Sequence, residues 1–208
     1  MTKILIIDDH AMIRTGLKQL CAELVPGASL LEAAHGQLAL SLQKTQSPRL
    51  TILDLNMPGL SGLELLRRLI ESDAAARVLV FSMHGEPVYA ARVLEIGARG
   101  YLSKNASPEE LRTAISRVLS GSTYVESDIA QQLVALPNEQ RQNLSERDLE
   151  ILRLLGEGRS FTEIAQQLGL GYKTVANAAT SIKSKLGVAR TADLIRLSVE
   201  MGIGRQAP

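Results

Sequence analysis

Over the first 120 residues, five short apolar runs alternate with five amphipathic stretches, and this rhythm constrains the fold more than any other feature. The runs cover residues 3–7, 29–33, 50–54, 78–82 and 100–103; the stretches cover 11–25, 37–46, 62–72, 87–97 and 108–120. Continuous Val, Ile and Leu bounded by turn residues fits strands buried on both faces. Strands of that kind, joined by helices, wind into a doubly wound parallel sheet. The last helix has an explicit start: Ser107-Pro108-Glu109-Glu110 offers an N-cap, a proline at the first helical position and a capping-box glutamate.

The rhythm stops near Gly121. Residues 121–143 are polar towards their end and read as a linker, with a short helix expected around 128–136. From Leu144 onward no strand pattern survives. Ser145 caps a helix carrying Leu149, Leu152 and Leu155, and Ser160 caps a shorter one carrying Ile164, Ala165 and Leu168. After the turn Gly169-Leu170-Gly171, a third helix buries Val175, Ala179, Ile182 and Leu186; Gly187 ends it, and residues 191–201 form a fourth. Two short helices joined by a tight glycine turn, the second of them basic, make a helix-turn-helix pattern. The expected organisation is an α/β domain at 1–120, a linker at 121–143 and a small all-α four-helix domain at 144–208.

Composition narrows the class. Hydrophobic residues make up 45% and charged residues 22%, yet aromatics only 3%, so the core must be aliphatic. No apolar run reaches the roughly 18–20 residues of a membrane span, and no signal-peptide pattern opens the chain. Cys21 is the sole cysteine and fits the core of the first helix. These features describe a cytoplasmic chain without a membrane partner. The net charge of +1 hides a local asymmetry: Arg159, Lys173, Lys183, Lys185 and Arg190 face one acid, Glu163, over 159–190. The stretch just before it is acidic, with Glu146, Asp148, Glu150 and Glu157.

Chemistry concentrates where strands end. The first run ends in Asp8-Asp9 and the third in Asp54, at the edge where open α/β sheets place their sites. Carboxylates gathered there repel each other unless a hard divalent cation joins them. Such a cation, with a lysine, also lets an anionic phosphoryl group approach an ionised carboxylate. Ser82 and Lys104 lie at the ends of the fourth and fifth runs and supply a hydroxyl and that lysine. The lone histidines His10, His35 and His84 read as surface or loop residues.

In Ile6-Ile7-Asp8-Asp9-His10, 53–59 (Leu-Asp-Leu-Asn-Met-Pro-Gly), Val80-Phe81-Ser82 and Gly100-Tyr101-Leu102-Ser103-Lys104, the first 120 residues resemble the receiver domain of a two-component response regulator, a flavodoxin-like fold. The resemblance implies that Asp54 accepts phosphate from a sensor histidine kinase. It implies that Asp9, Asp54 and the backbone carbonyl of Asn56 ligate Mg²⁺ directly and that Asp8 acts mainly through water. It also implies that Ser82 and Lys104 hold the phosphoryl group while Tyr101 turns inward as Ser82 is drawn to it. Asn105 stands where many receivers have Pro, and Ser82 where Thr is commoner; these leave the dephosphorylation rate and switching amplitude open.

Residues 144–202 resemble the LuxR/NarL-type helix-turn-helix output domain, through Leu144-Ser145-Glu146-Arg147-Asp148, Glu163-Ile164-Ala165, Lys173-Thr174-Val175 and Lys185-Leu186-Gly187-Val188. The resemblance places the third helix in the major groove of double-stranded DNA. Lys173, Thr174 and Lys185, with Lys183 beside them, then fix register on phosphates, while Ala176, Asn177, Thr180 and Ser181 read bases. Ala176, Ala178 and Ala179 depart from a family pattern richer in basic residues. Leu194, Leu197 and Met201 make an apolar stripe that serves either the core or an active homodimer on two-fold sites. The expected function is a phosphorylation-controlled transcriptional regulator and not an enzyme. The alternatives are a receiver-based adaptor whose last helices bind a protein, and a phosphatase or flavin protein. The last pair lacks both a glycine loop after Ile7 and a general acid two residues beyond Asp54.

Overall fold

A computed structural model describes the chain except residues 59, 84–86, 136–143 and 201–208. The α/β part runs β1 (Lys3–Ile7), α1 (Ala11–Leu24), β2 (Ser29–Ala33), α2 (Gly36–Gln46), β3 (Leu50–Leu53), α3 (Gly62–Ser72), β4 (Val78–Ser82), α4 (Pro87–Ile96), β5 (Gly100–Ser103) and α5 (Pro108–Ser120). The strands lie parallel in the order β2-β1-β3-β4-β5, the doubly wound arrangement the alternation predicts. Every residue of β3, β4 and β5 is buried, because helices cover both faces of the sheet. Burying each such Ile, Leu or Val contributes roughly 1.5–3 kcal/mol, which is why uninterrupted apolar runs are required here.

The segment expected as linker contributes more structure than its composition shows. Tyr124–Val125 forms a sixth strand, β6, parallel to β5, and α6 (Ser127–Ala135) then packs against α4. The Glu126 N–H donates to the Tyr101 carbonyl, and its carboxylate accepts from the Ser103 N–H at 2.8 Å. The connecting segment is thereby pinned to the edge of β5.

The helical part comprises α7 (Glu146–Gly156), α8 (Phe161–Gln167), α9 (Tyr172–Lys185) and α10 (Thr191–Glu200). Ser107, Ser145 and Ser160 each form a complete capping box, with Glu110, Asp148 and Glu163 as the reciprocal partners. Ser107→Ala should therefore cost about 1 kcal/mol, read from the urea midpoint at unchanged slope. Gly187 follows α9 at φ 68, the left-handed geometry that ends a helix without strain. Leu194 of α10 is fully buried against α7, whereas Leu197 is half-buried and Met201 lies outside the described residues. The stripe thus serves the core at Leu194. Cys21 is buried in α1, and burial pushes its thiol up to about 12, so it stays protonated and inert.

Candidate phosphoacceptor site and nucleic-acid interface

Strand register assembles the site. Ile7 pairs with Leu53 and Leu53 with Val80, so Asp8 and Asp54 emerge side by side one residue beyond. Ser82 pairs with Ser103, which brings Lys104 to the same edge, and the Lys104 N–H donates to the Ser82 carbonyl at 2.8 Å. The Lys104 ammonium then reaches across to Asp8 Oδ2 at 2.6 Å and Asp54 Oδ2 at 2.8 Å. Asp8 and Asp54 are only 1% and 2% exposed. Burial opposes the charge on Lys104, but the adjoining carboxylates outweigh it and its pKa is raised.

The remaining oxygens are oriented by local backbone. The Asn56 N–H donates to Asp54 Oδ1 at 3.0 Å, and the His10 N–H donates to Asp8 Oδ1 at 2.8 Å. One ligand atom from each of Asp8, Asp9, His10 and Asp54 falls within 4.8 Å of the others. Asp9 Oδ1 is buried and accepts no hydrogen bond, although His10 Nδ1 lies 2.9 Å away. A buried carboxylate oxygen without a donor, facing two further carboxylates, fits a hard divalent cation. His10, read from sequence as a loop residue, sits at the rim of this cluster with its side chain 65% exposed. Its position directly after Asp8-Asp9 was the available signal. Ser82 and Tyr101 are both fully buried.

In the helical part, Lys173, Thr174, Asn177, Thr180 and Ser181 lie exposed along α9, with Ala176 and Lys183 half-buried. Ala179 is buried and Ala178 packs on the core, so two of the three unusual alanines are interior positions. Lys185 has a partner within the domain: its ammonium is held 2.5 Å from Asp148 Oδ2. Burial works against ionisation of Asp148, but Lys185 and the Ser145 cap prevail and hold its carboxyl below the usual range.

Residues 4–116 match the response regulator receiver domain. Residues 142–198 match the bacterial regulatory proteins of the luxR family. The chain belongs to the LuxR-family response regulators. This regulator is 41% identical to the transcriptional activator protein ExaE of Pseudomonas putida, over 98% of this chain and 99% of that one. Its identity to the response regulator UvrY of Escherichia coli K12 is 34%, over 98% and 96%. Among solved structures, it resembles RcsB of Salmonella enterica serovar Typhimurium bound to promoter rprA with the phosphomimetic BeF3-. The TM-score is 0.72 at 25% identity, covering 94% of this chain and 98% of that one. A LuxR-family regulator from Aurantimonas sp. SI85-9A1 matches at TM-score 0.60 and 36% identity, covering 65% and 97%. Response regulators of this family are DNA-binding transcriptional regulators, which leaves the adaptor, phosphatase and flavin readings without support.

The two parts of the regulator also touch. The Glu146 carboxylate, at the start of α7, pairs with Arg67 of α3 and with Arg92 of α4, the latter at 3.2 Å. The Tyr89 hydroxyl donates to the Leu149 carbonyl at 3.0 Å in a buried setting. Glu150 accepts a hydrogen bond from Ser61, the N-cap of α3, and burial raises its pKa despite Arg153 and Arg147 nearby. Of the acidic stretch read from sequence as a contrast to the basic one, Glu146 and Glu150 thus face the receiver, while Asp148 and Glu157 pair within the helical part with Lys185 and Arg153. Among the described residues no helix is long and apolar enough to cross a membrane.

Proposed function

We propose that Asp54 is the phosphoacceptor of this regulator and that α9 is its DNA-reading helix, with a receiver at 1–120, a connecting segment at 121–143 and an output domain at 144–208. The observation that carries the reading is the Lys104 ammonium shared between Asp54 and Asp8. A cation fixed there neutralises a nucleophilic carboxylate against an incoming phosphate. Asp54 attacks phosphorus, the phosphorus–nitrogen bond of a kinase phosphohistidine breaks, and the imidazole leaves. Asp9, Asp54 and the Asn56 carbonyl would hold Mg²⁺, with Asp8 acting through water, to screen the remaining charge. Ser82 offers its hydroxyl to a phosphoryl oxygen, and Tyr101 packs behind it. The partners are a sensor histidine kinase, double-stranded DNA with two-fold sites and a second copy in the active state. The setting is the cytoplasm.

On DNA, Lys173 and Thr174 meet phosphates at the start of α9, with Lys183 one face along. Lys185 joins them only by leaving Asp148. Ala176, Asn177, Thr180 and Ser181 lie against base edges. Duplexes selected from a random pool, with and without acetyl phosphate, test this reading. Affinity should rise with the donor, and Lys173→Ala should lower the salt slope of binding by about one unit. Binding insensitive to salt, or unchanged in that variant, would count against α9 as the DNA-facing helix.

A further inference from the structure

Helix α7 engages the two receiver elements that follow the site's own strands. Glu146 and Glu150 reach α3 and its N-cap, just beyond Asp54; Arg92 and Tyr89 belong to α4, just beyond Ser82. A cavity of about 180 Å³ lies between them, lined by Asn56, Met57 and Pro58 on one side and by Glu150, Arg153 and Gln167 on the other. The output domain therefore forms one wall of the space beside the Asp54 loop. Along α9, Lys173, Thr174, Asn177, Thr180 and Ser181 remain exposed in this docked arrangement.

We propose that the docked output domain is a lid on the flank of the Asp54 site, prolonging the phosphorylated state while leaving the recognition helix open to DNA. Hydrolysis breaks the bond between phosphorus and the Asp54 oxygen. Water supplies the new oxygen and the protons, the carboxylate leaves with the bonding pair, and inorganic phosphate departs. Water approaching from the loop side must pass residues 56–58, and the wall built by Glu150, Arg153 and Gln167 restricts that approach. Glu146 between Arg67 and Arg92 and the Tyr89 hydrogen bond are the fastenings. The inference rests on Asp54 being the acceptor.

The test uses the full chain, its Glu146→Lys and Tyr89→Phe variants, and the charge swap Arg92→Glu with Glu146→Arg. Each is loaded from radiolabelled acetyl phosphate with Mg²⁺, freed of donor and followed for loss of label. Binding of each unphosphorylated form to duplexes selected with the wild-type chain is measured in parallel. Glu146→Lys, facing two arginines, should shorten the phosphoryl lifetime at least about fivefold, Tyr89→Phe less, and the swap should restore part of it. Unphosphorylated DNA affinity should stay within about twofold, because α9 is not covered. Equal lifetimes in all forms would overturn the lid. So would a tenfold gain in unphosphorylated DNA affinity on undocking, which would mean that docking hides the reading face. If the wild-type chain takes up no label at all, the acceptor assignment itself fails.

Discussion

If Asp54 is the acceptor, Asp54→Asn should lower phosphate uptake from acetyl phosphate by at least about a hundredfold and leave the chain folded. The substitution keeps the shape of the side chain. Its carbonyl oxygen can still accept from the Lys104 ammonium, which lies 2.8 Å from Asp54 Oδ2, or from the Asn56 N–H at 3.0 Å from Oδ1. What it loses is the negative charge that makes the group a nucleophile. Two other carboxylates share the site, which makes the result informative. Asp8 offers Oδ2 to the same ammonium at 2.6 Å, and Asp9 carries the buried oxygen that accepts no hydrogen bond. Label remaining in Asp54→Asn would transfer the acceptor role to one of them. Removing divalent cations with a chelator should also suppress uptake in the wild-type chain, since Lys104 is then left as the ammonium offsetting Asp8 and Asp54. Acid-labile label, quantified against intact-mass shifts, is the measurement for both arms.

Gly62→Ala should destabilise the receiver by about 3 kcal/mol, since among the described glycines this is where an added Cβ comes closest to backbone atoms. A Cβ at Gly62 would run into the Leu55 carbonyl oxygen and Cα and lie 2.7 Å from its carbonyl carbon. These are backbone atoms, and they cannot swing aside as a flexible side chain can. Leu55 follows Asp54 directly, so relief of the clash must displace the loop that carries Asn56. The expected result is a lower urea midpoint at unchanged slope, with phosphate uptake slowed in the fraction that remains folded. Gly16→Ala is the control: a Cβ there meets nothing within 4 Å on α1, and helix propensity alone should raise stability slightly. A Gly62→Ala midpoint equal to wild type would show that the Leu55–Gly62 contact is loose in solution.

The readable parts of the sequence were those governed by one dominant force. Buried parallel strands favour apolar runs, so β1, β3 and β4 announce themselves, and the acids that follow β1 and β3 are pressed together by register. The capping serines are local signals and were equally legible. Strand β6 was not, because two residues at a sheet edge carry no periodicity and Tyr124-Val125 has no run to belong to. The fastenings between the two parts were hidden for a different reason. Glu146, Glu150, Arg67 and Arg92 are ordinary surface residue types, and only tertiary placement sets them against each other. Lys185 shows the same limit: its position in the motif points to DNA, while its neighbour in space is Asp148. His10 reads as a surface or loop residue and lies exposed just before α1, where the two aspartates preceding it also place it at the rim of the acidic cluster.

The pinning of the connecting segment to β5 sets the local concentration of one domain around the other. Helix α6 ends at Ala135 and α7 begins at Glu146, so few residues of sequence separate the helix packed on the receiver from the first helix of the output domain. A short tether holds its two ends at an effective concentration of about millimolar. Docking therefore needs only a comparably weak intrinsic affinity to be populated, within reach of two ion pairs and one buried hydrogen bond. An interface closed in this way can be opened by a competitor for the same surface, whether a second output domain or a duplex. Because both parts belong to one chain, the interface can reform without any search through solution once that competitor departs.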